Sequence, residues 1–160
     1  MNIEDPWYIK DVDFNAELKQ LDIWIDFHKG SKFLCPKCSD ENCSVYDTVE
    51  KVWRHLNFFE YKTYLHCRVP RVKCDDCGVH QIEVPWARKQ SGFTLLMDAI
   101  ILTLAQSMPI LKVAKMLDEH DTKIWRVIIY YVKKSRAKED FSRVSIVGID
   151  ETSFKKGHKY

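Results

Sequence analysis

Four of the six cysteines in this chain fall in two pairs of the same spacing. Cys35 and Cys38 enclose "PK"; Cys74 and Cys77 enclose "DD" and are followed by Gly78. A CxxC turn offers two thiolates to one metal, and two such turns complete the closed tetrahedron of a structural zinc site. That geometry leaves no open coordination position, so the expected role is to hold structure. Four thiolates also suit iron, and spacing does not separate the two metals. The alternatives are four buried thiols or a redox dithiol, for which the strand–helix setting of such motifs is missing around Cys35. Cys43 and Cys67 read as buried free thiols; a substitute ligand role is the lesser alternative for Cys43.

The other chemical candidate is Asp150, at the end of the apolar run "VSIVGID". A carboxylate closing a buried strand can bind a metal at a sheet edge, but magnesium sites need several oxygens. Alone, Asp150 reads as a turn or cap residue.

The segments around the cysteines alternate with period two. "LDIWIDF" sets Leu21, Ile23, Ile25 and Phe27 against Asp22, Trp24 and Asp26, which predicts a half-buried strand. "SVYDTVEKVWRHL" and "EYKTYLHCRVPRVKC" predict two longer strands inside the gap between the pairs, so the ribbon has an enlarged hairpin. Arg68, Arg71 and Lys73 lie just before the second pair, where they could track phosphates or simply be solvated.

"VPWARKQSG" carries turn-forming and basic residues and predicts a linker over 84–92. Beyond it the period becomes helical. Thr94 can cap a helix to about Ser107 that is apolar nearly all round, hence buried among helices or in a dimer. Pro109 restarts the chain, and Ile110, Val113, Ala114 and Leu117 share a face. After a turn at "DEHD", with Asp121 as cap, Ile124, Val127, Ile128 and Tyr131 point inward. Thr122, Lys123, Arg126, Tyr130, Lys133 and Lys134 are left outward. A short helix pair with a basic outer face predicts a helix-turn-helix, although a plain three-helix bundle produces much of the same pattern. Asp118 stands where that motif prefers glycine, and Glu119 where an apolar residue is common. In a DNA complex Thr122, Lys123 and Arg126 would face the major groove.

The 160 residues carry a net charge of only +2, unevenly spread. Residues 1–50 hold five basic against eleven acidic side chains, whereas 51–90 hold eight against four and 91–160 twelve against eight. An acidic head and basic remainder suit a polyanion partner or ordinary surface scatter. No run is apolar and long enough to span a bilayer, and "MNIEDPWYIKD" lacks the pattern of a signal peptide. The expected location is the cytoplasm.

In order, these pieces resemble the ISL-three family of bacterial insertion-sequence transposases. The resemblance rests on "VYDTVEKVWRHLNFFEYKTYLHCRVPRVKCDDCG", "VPWARKQSGFT" and "GIDETSFKKGHKY". It implies a zinc-finger module, then a helix-turn-helix, then a ribonuclease-H-like domain with an Asp-Asp-Glu triad, whose first aspartate would be Asp150. The expected fold is α+β: a β-rich lead-in (1–30), a zinc-ribbon-like module (31–83), a linker (84–92), an all-α helix-turn-helix bundle (93–140) and the first strand of a truncated catalytic domain (141–160). The implied function is recognition of terminal inverted repeats in double-stranded DNA, at the bacterial nucleoid, with structural zinc. Magnesium would serve only a full-length parent enzyme, because one carboxylate cannot organise two cations; this chain alone is expected to be inactive. A homodimer or a full-length transposase is an implied partner. A non-catalytic regulator of transposition and a zinc-ribbon protein-interaction module are the competing readings.

Overall fold

The structure is a computed structural model, which describes residues 3–140 and 142–148. Asp150 and its "ETSFKKGHKY" sequel lie outside the described residues, and Val144–Gly148 form no strand. The described architecture is α+β: a six-stranded sheet followed by three helices.

The sheet is built on its longest strand. β1 (Trp7–Asn15) and β2 (Gln20–Phe27) form a hairpin, β3 (Lys32–Phe33) is short, and β4 (Cys43–Arg54) and β5 (Lys62–Cys74) form the central hairpin. β6 (Gly78–Gln81) folds back on β5. The order is β1-β2-β5-β4-β3. β2 runs parallel to β5 over Lys62–Cys67, and β6 pairs antiparallel with Arg71–Cys74. β4 pairs along most of β5. The lead-in is therefore part of the same sheet as the cysteine module, not a separate unit.

Alternation sends Leu21, Ile23 and Ile25 of β2 and Leu65, Cys67 and Val69 of β5 into one core. Three tryptophans close it. The Trp86 ring lies 5.0 Å from Trp7 and 5.8 Å from Trp53, both nearly edge-on, an arrangement that aromatic quadrupoles favour. This places the 84–92 stretch differently from a linker. Trp86 and Ala87 are core residues of the sheet, and only Arg88–Gly92 bridges onward. The opposite face of β2 is also covered, because Asp22 and Asp26 are buried beneath His66 and Arg68. β2 is therefore buried on both faces rather than half-buried.

The helices are α1 (Leu95–Ala105), α2 (Ile110–Leu117) and α3 (Asp121–Arg136). Thr94 caps α1, its hydroxyl accepting from the Met97 N–H. Pro109 caps α2 rather than opening its first turn, and His120, not Asp121, caps α3; Asp121 supports the same turn by accepting from the Thr122 N–H. Phe93, Met97, Ile101, Val113, Ala114, Ile124 and Val127 make a second core. α1 is covered on one side only, leaving Leu95 and Leu96 exposed.

Candidate metal centre and nucleic-acid face

Two turns bring the paired cysteines together. Cys35 follows β3, and its knuckle is closed by the Ser39 N–H donating to the Cys35 carbonyl. Cys74 ends β5, and Gly78 opens β6 at a φ of 82°, where a side chain would be strained. The four Sγ atoms of Cys35, Cys38, Cys74 and Cys77 all lie within 4.8 Å of one another, with Cys38 and Cys74 3.5 Å apart. A tetrahedron with bonds of ~2.3 Å has edges of ~3.8 Å, so the donor set fits zinc in size and chemistry. The N–H groups of Cys38 and Lys37 hold the Cys35 thiol down at about 7, while hydrogen bonding to Cys38 and then desolvation push Cys77 up to about 12. A bound cation would deprotonate all four.

Cys43 and Cys67 are buried outside this set. Burial pushes both thiols up to about 12, and Cys43 also donates to the Asp40 carboxylate at 3.3 Å. Asp40, Cys43 and Cys74 nevertheless come close enough to form a second three-donor group that shares Cys74.

The basic residues of β5 are divided by the pleat. Arg68 faces one side of the sheet and pairs with buried Asp26 at 2.7 Å. Arg71 and Lys73 face the other side, where Arg71 holds the Asp47 carboxylate through two of its nitrogens. Each arginine already has its carboxylate; of the three, Lys73 alone has no ion pair among the described residues.

α3 divides its outward residues as well. Thr122, Arg126 and Lys133 share the outer face, with Lys134 exposed in the last turn. Lys123 turns back to Glu119 at 2.8 Å, and Tyr130 lies under the Arg88 guanidinium, 4.3 Å from its carbon. Sequence pattern missed Trp125, Ile129 and Val132, an exposed apolar stripe beside that face, and Arg88 itself. Arg88 also donates to Asp98 at 2.7 Å. The signal was present: Asp98 is the sole charged residue of α1, and a buried charge needs a counterion.

The departures from the helix-turn-helix pattern have a structural cause in the sheet. Asp118 adopts the left-handed conformation at φ 50° and pairs with Lys62 of β5 at 2.5 Å. Aspartate is one of the few residues with a side chain that visit this conformation. Glu119 fills the usual apolar slot because Arg54, the last residue of β4, reaches it; their side chains are only 8% and 3% exposed and approach to 3.5 Å. The Arg54 backbone exchanges hydrogen bonds with Gly92 and Thr94, and His55 Nδ1 meets the Thr94 hydroxyl at 2.8 Å. Burial lowers the His55 pKa, favouring its neutral form. Leu56 enters the helical core. The segment Trp53–Leu56 is thus the joint between the two modules.

Comparison with known proteins follows the same division. The zinc-finger of transposases IS204/IS1001/IS1096/IS1165 matches residues 31–77, and the helix-turn-helix domain of transposase family ISL3 matches residues 82–132. The transposase for insertion sequence element IS1557 of Mycobacterium tuberculosis is 29% identical over 133 residues, covering 79% of this chain and 29% of that protein. The transposase for insertion sequence element IS1001 of Bordetella parapertussis is 26% identical over 128 residues, covering 79% of this chain and 32% of its own length. The chain therefore spans under a third of the length of these relatives. No solved structure matches. No helix among the described residues is long and apolar enough to cross a membrane. With two models matched in order over more than half of its residues, this chain belongs to the ISL3 family of insertion-sequence transposases and carries that family's zinc-finger and helix-turn-helix modules.

Proposed function

We propose that the chain is the DNA-binding part of a transposase and recognises the terminal inverted repeats of its own element, in a bacterial cytoplasm and at the nucleoid. The observation that carries this reading is the outer face of α3. Arg126, Lys133 and Lys134 stand exposed on the second helix of a helix-turn-helix pair, with no ion-pair partner among the described residues. Thr122 and Arg126 reach base edges in the major groove; Lys133 and Lys134 meet phosphates. Zinc on Cys35, Cys38, Cys74 and Cys77 is structural, and fixes the sheet on which the helices are docked. Asp150 supplies the first carboxylate of a catalytic triad in a longer enzyme. A two-magnesium site needs further carboxylates beside Asp150.

Binding to labelled duplexes tests the reading. The terminal repeats should bind more tightly than a scrambled duplex, and Arg126→Ala should remove roughly 1–3 kcal/mol of that preference. Equal affinity for both duplexes would refute end recognition.

A second reading adds self-association, or association with a full-length transposase. It is favoured by exposed Leu95, Leu96, Leu111 and Met116 on α1 and α2. Sedimentation as a monomer at all concentrations would count against self-association.

A further inference from the structure

The stretch between Ala87 and Phe93 is pinned at both ends. Trp86 and Ala87 are held in the sheet core, and Phe93 in the helical core. Between them Arg88–Gly92 forms a ridge, with a turn closed by the Ser91 N–H on the Arg88 carbonyl and Gln90 at φ 60°. Open clefts flank the ridge on both sides. One of about 290 Å³ lies towards the zinc module and includes Lys51 and Lys89 in its lining; the other, about 160 Å³, lies towards α3 and includes Lys123 and Arg126. Arg88, Gln90 and Ser91 line both, so the two clefts lie on either side of one shared ridge across the joint.

The charges around this ridge are not equivalent. Arg88 is tied to Asp98, and Lys123 to Glu119. Lys51, Lys89 and Arg126 are exposed and have no ion pair among the described residues. Glu83 contributes one carboxylate at the zinc-module end. One uncommitted cation, Lys89, therefore lies on the ridge itself, with Lys51 of β4 in the cleft on its sheet side and Arg126 of α3 in the cleft on its helix side. The arginines of β5 contrast with this, since both are neutralised in place.

We propose that this ridge and its two clefts form a phosphodiester track: they hold the backbone of the duplex whose groove α3 enters, with Lys51 and Lys89 contacting phosphates beyond the reach of α3. The proposal rests on the DNA-binding reading above. Phosphate contacts position a duplex without reading its sequence. Lys51 and Lys89 therefore set the register of the zinc module on DNA and add affinity that is the same for every sequence.

The experiment is a salt titration of the full 160-residue chain, zinc-loaded, on a mixed-sequence duplex followed by fluorescence anisotropy. The comparison is with Lys51→Ala/Lys89→Ala and, as a control for net charge, Lys29→Ala in the turn between β2 and β3. Removing one phosphate interaction should reduce the slope of log affinity against log salt by about 0.9, so the double variant should fall short of the parent by about 1.8. The preference for terminal repeats over scrambled duplex should stay unchanged. All three lysines are exposed and unpaired among the described residues, and retained zinc confirms folding. An unchanged slope in the double variant, with the parent chain binding duplex normally, overturns the track and leaves the DNA-binding reading intact. An equal loss per charge in Lys29→Ala also overturns it, since the effect would then be net charge alone. A parent chain with no duplex affinity removes the track together with the reading it rests on.

Discussion

In the sheet module the two cysteine pairs and four large aromatic rings, Trp7, Phe33, Trp53 and Trp86, brace one core. The helical module has seven buried core residues, of which only Phe93 is aromatic, and no metal-ligand cluster among the described residues. Its helices span 11, 8 and 16 residues, near or below the length at which an isolated helix holds in water. Their order depends on packing together and on docking against Arg54, His55 and Lys62 of the sheet. Surface charge differs in the same direction. The sheet commits its arginines to carboxylates, whereas α3 holds only Lys123 on a carboxylate and leaves Arg126, Lys133 and Lys134 without an ion pair among the described residues. The sheet platform and the proposed binding face are thus assembled from different residues, and a count of basic side chains does not separate them.

The largest expected effect breaks the platform. Cys74→Ser, or removal of metal by a chelator, should unfold the sheet, because binding and folding of such sites are coupled. Loss of zinc by elemental analysis and collapse of the strand signal in circular dichroism would be measured together; a folded, metal-bound variant would overturn the ligand set. Next is Trp86→Ala, which should cost about 3–5 kcal/mol by opening a cavity between Trp7 and Trp53. Trp86→Phe should cost much less, because the indole Nε1–H has no hydrogen-bond partner to lose. Chemical denaturation of the zinc-loaded protein checks both, and equal losses would mean the ring volume is not what matters.

Much of the platform and the helices was legible in the sequence. Period-two alternation located β2, β4 and β5, and the CxxC spacing located the thiol cluster, because strand geometry and metal geometry are local constraints. The helical period and Thr94 located α1 in the same way. What pattern could not supply was pairing between distant residues. Nothing near Arg68 or Arg71 reveals Asp26 or Asp47, so both looked available to phosphate. "VPWARKQSG" has the composition of a linker, yet its tryptophan completes a core that starts at Trp7. Glu119 looked like a defect in the turn until Arg54 supplied its partner.

The joint gives the third effect. Glu119→Ala leaves the Arg54 guanidinium buried without its carboxylate, which should destabilise the helical module by about 3 kcal/mol. Arg54→Met with Glu119→Leu removes both charges and should recover most of that loss, since a buried pair often contributes little net stability. Hydrogen exchange of α2 and α3 amides measures the difference. No recovery in the double variant would mean that the Arg54 contacts to the His55 carbonyl and Asn57 matter more than the pair.

The smallest effect separates two carboxylates of the helical module by the sign of their pH response. Lys62 hydrogen-bonds Asp118 and holds its pKa below the ordinary 3.8. Its contribution is present above the unfolded value and is lost as pH falls through the lower folded value. Burial raises Asp98 instead, outweighing Arg88, and one of its oxygens has no partner. The folded state therefore takes up this proton before the unfolded state does. The penalty is full above the raised value and is relieved as pH falls towards 3.8. Asp98→Asn should abolish that gain, so α1 amides in the variant should lose exchange protection steadily on acidification where the parent first gains. Asp118→Asn should act in the opposite sense and remove part of the loss at the lowest pH. Because zinc thiolates also protonate on acidification, the readout has to be the local protection of α1 rather than a global melting curve. Identical profiles for Asp98→Asn and the parent would show that Arg88 compensates the buried Asp98 charge fully, and that this module tolerates an ionised carboxylate in its core.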